Sequence, residues 1–490
     1  MGVNGLCVPS RILMPTCIKQ VTPHNILCMK NKFFTALALF ISLYISISFN
    51  SGCAQIGAPT GGPKDSIAPV LVKATPGLNT LNFRGNRITL TFNEYVEVTE
   101  VQNNVLVSPL QKSNPSINYA LKTISIKLRD SLLPNTTYSI QFGSAIRDIN
   151  EGNVYPNFTY VFSTGNTIDS LSLRGKVLLA ETGLVDSTIN VVLYRNTSDT
   201  AIQKLKPDYM AKLKGDGSFL FTNLAAGNFK VYALKDTDGN KYYSTKTELF
   251  AYLDTSVIIN EKTTPVTLFA FEEEKIKDNK TIRVLKPVIE KRLRYNSNLA
   301  GSQGLLDSLT LTFNNPLQYF DSNSLVLTDT NFNKIDGGRP RIDSTGKIIS
   351  YYPIWKPGLN YSLIINKDAV KDSAGTSLLK NDTLNFAAKK ETDYGKVLIR
   401  FKNYQAAKNY VIQFVSNQVI KFSFPLTAAQ WSNNRFPPGE YEIRILVDDN
   451  KDGLYTPGNY SKKIQPEKAI TLPQKLTIRA DWDNERDIEL

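Results

Sequence analysis

Most enzyme chemistry draws on histidine and cysteine, and this chain has almost neither. Its only histidine is His24, and its four cysteines are Cys7, Cys17, Cys28 and Cys53. Past residue 53 there is none of either. That excludes His-dependent triads, Cys/His dyads, zinc sites of His and Cys, thiolate-ligated clusters and an internal disulfide framework. Two other sets of side chains remain. Asp448, Asn450, Asp452 and Gly453 have D-x-N-x-D-G spacing, which converges alternate oxygens on one Ca2+ ion around a glycine turn. The twelfth position, where a bidentate Glu is expected, is Asn459, and a similar turn upstream keeps only Asp236 and Asp238. The same residues therefore also read as a hairpin turn that uses Asp and Gly for their backbone conformations. The second set is aromatic: 23 Tyr, 24 Phe and the tryptophans Trp355, Trp431 and Trp482. Exposed rings stack on sugars or fill a partner's pocket, whereas most rings in strands belong to a core. Paired carboxylates for glycoside hydrolysis come from separated strands, and no spacing here nominates a pair. The chain has no G-x-S-x-G elbow, dinucleotide fingerprint or kinase motif set.

The elements that must position these side chains are β-strands. At 490 residues the chain predicts three or four cores. Hydrophobic residues at 42% and charged residues at 21% fit a globular protein, neither polytopic nor mostly disordered. The excess of 57 Lys+Arg over 44 Asp+Glu does not cluster, so it is not a nucleic-acid footprint. From Val70 onward the pattern has period two: Arg87 to Phe92, Thr137 to Phe142 and Phe158 to Phe162 alternate polar and apolar residues between Pro, Gly and Asn clusters. These predict half-buried strands, with helices few and short.

The N-terminal region follows a different rule. Met29 to Lys32 is a short basic stretch, and Phe33 to Phe49 is an apolar run ending in small residues, the order of a secretory signal peptide; a retained membrane helix is the alternative. Residues 1–28 lack acidic side chains and hydrophobic periodicity, so Met29 is the expected start. Asn50-Ser51-Gly52-Cys53 resembles the bacterial lipobox, although Asn50 stands where that motif usually has Leu. The resemblance implies cleavage between Gly52 and Cys53 and an acyl anchor on Cys53. Residues 54–69 are rich in Pro and Gly and read as a tether. Within them Gly57 to Lys64 loosely resembles a phosphate-binding loop, but Pro63 removes a backbone donor where one is needed.

Internal repetition organises the rest. Leu90-Thr91-Phe92-Asn93 recurs as Leu311-Thr312-Phe313-Asn314. Pro134 to Ser139, then Asp148 and Gly152, recurs as Pro357 to Ser362, then Asp372 and Gly375. With the exit Phe162-Ser163-Thr164-Gly165, these features resemble the bacterial SbsA-type Ig-like domain. A second pair is Leu224 to Val231 against Phe436 to Ile443, each followed by an apolar strand and an acidic glycine turn. This order resembles the carboxypeptidase regulatory-like, transthyretin-related β-sandwich, which implies a non-catalytic module. The expectation is an all-β chain of tandem sandwiches: signal region 1–52, lipidated cysteine and tether 53–67, Ig-like 68–166, transthyretin-like 168–272, linker 273–301 with solvated charges, Ig-like 302–390 and transthyretin-like 393–490.

Taken together, the resemblances imply a non-catalytic outer-membrane lipoprotein that binds lipid through acylated Cys53 and docks as an accessory subunit on an outer-membrane β-barrel complex. Alternatives are an extracellular glycan- or matrix-binding surface lipoprotein and a carboxylate-only glycoside hydrolase. No cofactor is expected beyond Ca2+ at Asp448, Asn450 and Asp452, and no nucleic acid is expected as a partner. Ala54 to Gly57 lack the acidic residues that mark many surface-exported lipoproteins, so surface and periplasmic placement both stay open.

Overall fold

The structure, a computed structural model, describes residues 39, 41–42, 64–275, 291–335 and 338–490. It forms two compact units, Met1–Ser66 and Ile67–Leu490. In the first unit Leu39, Ile41 and Ser42 are helical and exposed. The second unit is all-β, with α-helix limited to the four-residue turns Val101–Asn104 and Ala201–Lys204 among the described residues.

Four hydrophobic clusters run in chain order. The first lies between the antiparallel sheet Leu71–Thr75, Arg87–Phe92, Thr123–Lys127, Ser116–Ala120 and a three-stranded sheet centred on Thr137–Gln141. In Arg87–Phe92 the alternation works as written: Ile88, Leu90 and Phe92 are buried, while Arg87, Thr89 and Thr91 face outward. Thr137–Gln141 departs from it, because four of its five residues are buried. It is a central strand, and the next sandwich covers its outer face, where the Thr137 hydroxyl accepts the Asp169 N–H at 2.9 Å.

The third cluster repeats this plan around Leu309–Phe313 and Asn360–Ile365. The repeated turn motifs have the same local job in both copies. Tyr138 accepts the Leu133 N–H at 2.8 Å and Tyr361 accepts the Lys356 N–H at 2.9 Å, so each Tyr pins the Pro-led turn just before it. Asp148 accepts the amides of Glu151, Gly152 and Asn153, and Asp372 accepts those of Ala374 and Thr376. The sheet of the third cluster begins at Tyr295–Ser297, paired with Leu309–Phe313, inside the span read from sequence as a linker.

The second and fourth clusters share another plan. A long strand, Leu171–Leu179 or Gly395–Lys402, pairs antiparallel on one side and parallel on the other, with Val266–Ala270 or Asp483–Glu489. Opposite it lies a sheet built on Asn190–Tyr194 and Gly227–Leu234, or on Tyr410–Ser416 and Gly439–Val447. In Tyr410–Ser416 six of seven residues are buried, and on the sheet's outer face Val411 packs with Leu446, Ala469 and the loop residue Tyr455.

Hydrogen bonds from the edge of this sheet and an inserted ring join the second and fourth sandwiches. Ala469 donates its N–H to the Ala180 carbonyl at 2.8 Å, and the Thr471 hydroxyl bonds the Thr182 carbonyl. Tyr460, on a loop of the fourth sandwich, inserts among Tyr232, Tyr243, Phe250 and Tyr252 of the second. Its hydroxyl donates to the Asp199 carbonyl at 2.6 Å and shares a hydrogen bond with Tyr232 at 3.1 Å; its N–H donates to Glu273 Oε1 at 3.0 Å. Gly458 allows the approach, since a Cβ there would lie 2.6 Å from the Phe271 ring. Glu273 belongs to the charged stretch expected to be solvated. It is instead partly buried, because Tyr243 and Tyr460 both donate to it.

Candidate functional site

Register places the acidic turns. Val447 pairs with Lys468 and Leu234 pairs with Phe250, so each turn leaves a central strand and returns beside it. A buried glutamate stands at the neck of each loop: Glu467 in one and Glu248 in the other. Neither belongs to the D-x-N-x-D-G pattern, so spacing alone missed them; only the strand register brings them opposite Asp448 and Asp236.

In the later turn the structure brings Asp448, Asn450 and Asp452 together, as the spacing required. Asp448 is buried, and its two carboxylate oxygens accept the amides of Lys451 at 2.7 Å and Gly453 at 2.8 Å. Asn450 accepts the Asp452 N–H and donates to Thr456 at 2.7 Å, while Asp452 accepts the Leu454 N–H. Glu467 accepts the amides of Asp449 and Thr456 at 2.9 and 2.8 Å. Asn459, at the twelfth position, bonds within its own turn to Ser461 and Lys462. The oxygens thus hold the loop through its own amides. Glu467→Ala removes a buried carboxylate from the loop amides that it accepts and is expected to destabilise the fourth sandwich by about 2 kcal/mol. Urea unfolding of the full chain would read this loss; an unchanged midpoint would contradict the closing role of Glu467.

The earlier turn is arranged differently. The carboxylates of Asp236, Asp238 and Glu248 lie within 4.8 Å of one another, and oxygen-only donors of this kind suit a hard divalent cation. Glu248 Oε2 accepts the amides of Ser244 and Thr245, and Asp236 Oδ2 accepts that of Lys241. Asp236 Oδ1 is buried and accepts no hydrogen bond from any described residue. Burial, then the neighbouring Asp238 carboxylate working against the Lys241 amide, hold the Asp236 carboxyl above its ordinary range. A carboxyl whose folded pKa is raised costs stability once ionised, and that cost disappears as pH falls through the folded value. Asp236→Asn in cation-free buffer is therefore expected to raise the melting temperature by about 2 °C at neutral pH and to leave it unchanged near pH 4. Melting curves of both proteins from pH 4 to 8 check this; an advantage that grows toward acid would reverse the sign.

The three tryptophans separate by environment. Trp355 is buried and donates its indole N–H to the Asp307 carbonyl at 2.9 Å, edge-on to Tyr361 and Phe386. Trp431 packs on Phe414, Phe424 and Phe436 at the edge of the fourth core. Trp482 is 59% exposed on the turn that leads into Asp483–Glu489, with the Arg479 guanidinium 5.1 Å from its ring centroid. It lines a cleft of about 880 Å3 between the third and fourth sandwiches, together with Leu306, Tyr394, Asn434 and Asp481. The Tyr394 hydroxyl accepts the Leu305 N–H at 2.6 Å and ties the two walls together.

Gly52 and Cys53 lie outside the described residues, as do most of the tether and residues 276–290 of the charged stretch. No helix among the described residues is long and apolar enough to cross a membrane.

No curated protein matches the chain. Among solved structures, native alpha-2-macroglobulin from Escherichia coli (domains MG0-NIE-MG1) is similar at 14% identity over 37% of this chain and 72% of that one, with a TM-score of 0.19. The Bacillus anthracis TIE protein is similar at 11% identity over 88% of this chain and 75% of that one, TM-score 0.17. BcpA, the major pilin subunit of Bacillus cereus, is similar at 10% identity over 66% of this chain and 99% of that one, TM-score 0.16. Residues 65–164, which hold the first sandwich with its Tyr138 and Asp148 turns, match the family model of the bacterial Ig-like domain.

Proposed function

We propose that this chain is a non-catalytic binding protein of the bacterial cell surface, anchored by an acyl group on Cys53 and presenting its sandwiches to extracellular glycan or matrix. The observation that carries the reading is the clasp around Tyr460. Ring packing and buried hydrogen bonds fix the second and fourth sandwiches in one orientation, as a display scaffold requires. The buried carboxylates of Asp148, Asp372 and Glu467 support it further, since they close turns through backbone amides. The bacterial Ig-like match at residues 65–164 fits the same use. In this reading the modules run 68–166, 168–272, 302–390 with the added strand Tyr295–Ser297, and 393–490.

Docking on an outer-membrane β-barrel complex would use the same rigid body. The exposed Trp482 cleft speaks instead for a ligand outside the membrane. Protease treatment of intact cells tests the reading: the modules are expected to be cleaved while the cells stay whole, and the mature chain to begin at an acylated Cys53. Resistance that disappears only on lysis, or an unmodified Cys53, would overturn it. Co-purification of a stoichiometric barrel protein after mild solubilisation would favour the docking role.

A further inference from the structure

We propose that the cleft between the third and fourth sandwiches is a binding site for a neutral saccharide, with Trp482 as its stacking platform; this rests on the surface-binding reading and names its ligand class. Three features carry it. The first is a large ring left in water on a rigid support. Asn484 Nδ2 donates to the carbonyls of Lys396, Arg479 and Trp482, its Oδ1 accepts the Arg479 N–H, and the Lys396 N–H donates to the Trp482 carbonyl. Gly395 leaves room for this knot, since a Cβ there would lie 2.5 Å from the Arg479 carbonyl oxygen. The turn is held, yet the indole is 59% exposed. A flat apolar ring fixed in this way offers the face that the C–H side of a pyranose covers, at little ordering cost.

The second feature is polar supply. Asn434 and Asp481 line the same cleft, and their side chains make no hydrogen bond or ion pair with any described residue. An amide and a carboxylate are planar groups that donate to and accept from vicinal hydroxyls. The third is charge. Glu391 pairs with Arg435, and Asp483 pairs with Lys396 at 3.2 Å, so Asp481 is the one lining carboxylate without an ion pair among the described residues. A cleft whose two cations are already paired and whose remaining carboxylate is open to hydroxyls, with Leu306 and Trp482 as apolar walls, suits an uncharged polyhydroxy ligand better than an anionic polymer or an apolar peptide.

The test uses the full-length protein and an array of neutral polysaccharides and their oligosaccharides, with titration calorimetry on any hit. Binding is expected to shift Trp emission to the blue, because the exposed Trp482 becomes covered. Trp482→Ala is expected to weaken binding by about tenfold or more, Trp482→Tyr by less, and Asp481→Asn measurably. Tyr352→Ala, an equally exposed ring elsewhere, is expected to leave binding unchanged. Absence of any saccharide hit, or a hit that keeps its affinity in Trp482→Ala, would overturn the proposal. Binding of a peptide or matrix protein alone would overturn it too. Protease shaving reads the surface placement separately, so shaved modules without saccharide binding would remove this site and spare the broader reading.

Discussion

Tyr460→Ala is expected to cost about 4 kcal/mol and to split the joint melting of the second and fourth sandwiches into separate transitions. The ring is 5% exposed, with centroids 4.9 Å from Phe250 and 5.0 Å from Tyr252, so truncation opens a cavity in an aromatic cluster that cannot collapse around it. It also leaves the Asp199 carbonyl and the Tyr232 hydroxyl without a partner. Tyr460→Phe keeps the packing and loses only the hydroxyl, for about 1 kcal/mol. Lys463 lies 3.9 Å from the Tyr460 ring centroid and pairs with Asp199 at 3.2 Å, but both charges are well exposed, so Lys463→Ala should cost at most about 0.5 kcal/mol. Scanning calorimetry of the full chain reads all three. A Tyr460→Ala protein that melts in one transition at the wild-type temperature would remove the clasp from the account of this fold.

Asp148→Ala and Asp372→Ala are expected to destabilise the first and third sandwiches by about 2 kcal/mol each, because each buried carboxylate accepts several hydrogen bonds at once. Asp148 takes three backbone amides at 2.6 to 3.0 Å; Asp372 takes two and the Asn315 side-chain amide at 2.8 Å. Burial pushes both carboxyls up, but the donors outweigh it and hold them below their ordinary range. A carboxyl whose folded pKa is depressed adds stability that is fully present above its unfolded value of about 3.9 and is lost as pH falls through the folded one. The wild-type sandwiches should therefore weaken below about pH 4, and the Asp→Asn variants should show a shallower acid limb. Denaturant unfolding at pH 7 and between pH 3 and 5, followed module by module because a chain with several cores is not two-state, tests this. An acid limb unaltered in both variants would contradict it.

The parts of this protein that were legible in its sequence are the local ones. Alternation marked Arg87–Phe92 as a strand with one buried face, since a pleat sends successive side chains to opposite sides. The repeated Pro-to-Tyr and Asp-to-Gly turns were legible because their partners are near in the chain: Tyr138 reaches back five residues, and Asp148 reaches forward three to five. Thr137–Gln141 alternates like a half-buried strand yet is covered on both faces, because nothing within a strand announces that the next sandwich will meet its outer face. The charges near Glu273 read as solvated for the same reason, since its donor Tyr460 is 187 residues away.

For the candidate sites the division falls in the same place. Residue type and spacing by themselves determined that imidazole and thiol chemistry is absent beyond residue 53, that the chain is all-β, and that Asp448, Asn450 and Asp452 share one turn. Tertiary structure alone decided that Glu467 and Glu248 close the two acidic loops, that Tyr460 joins two sandwiches, and that of three tryptophans only Trp482 stands in water. Turn and strand signals arise from interactions among near neighbours, whose geometry the backbone dictates. Register, docking and exposure arise from surfaces that meet only when distant segments pack, and no short stretch of chain encodes both sides of such a contact.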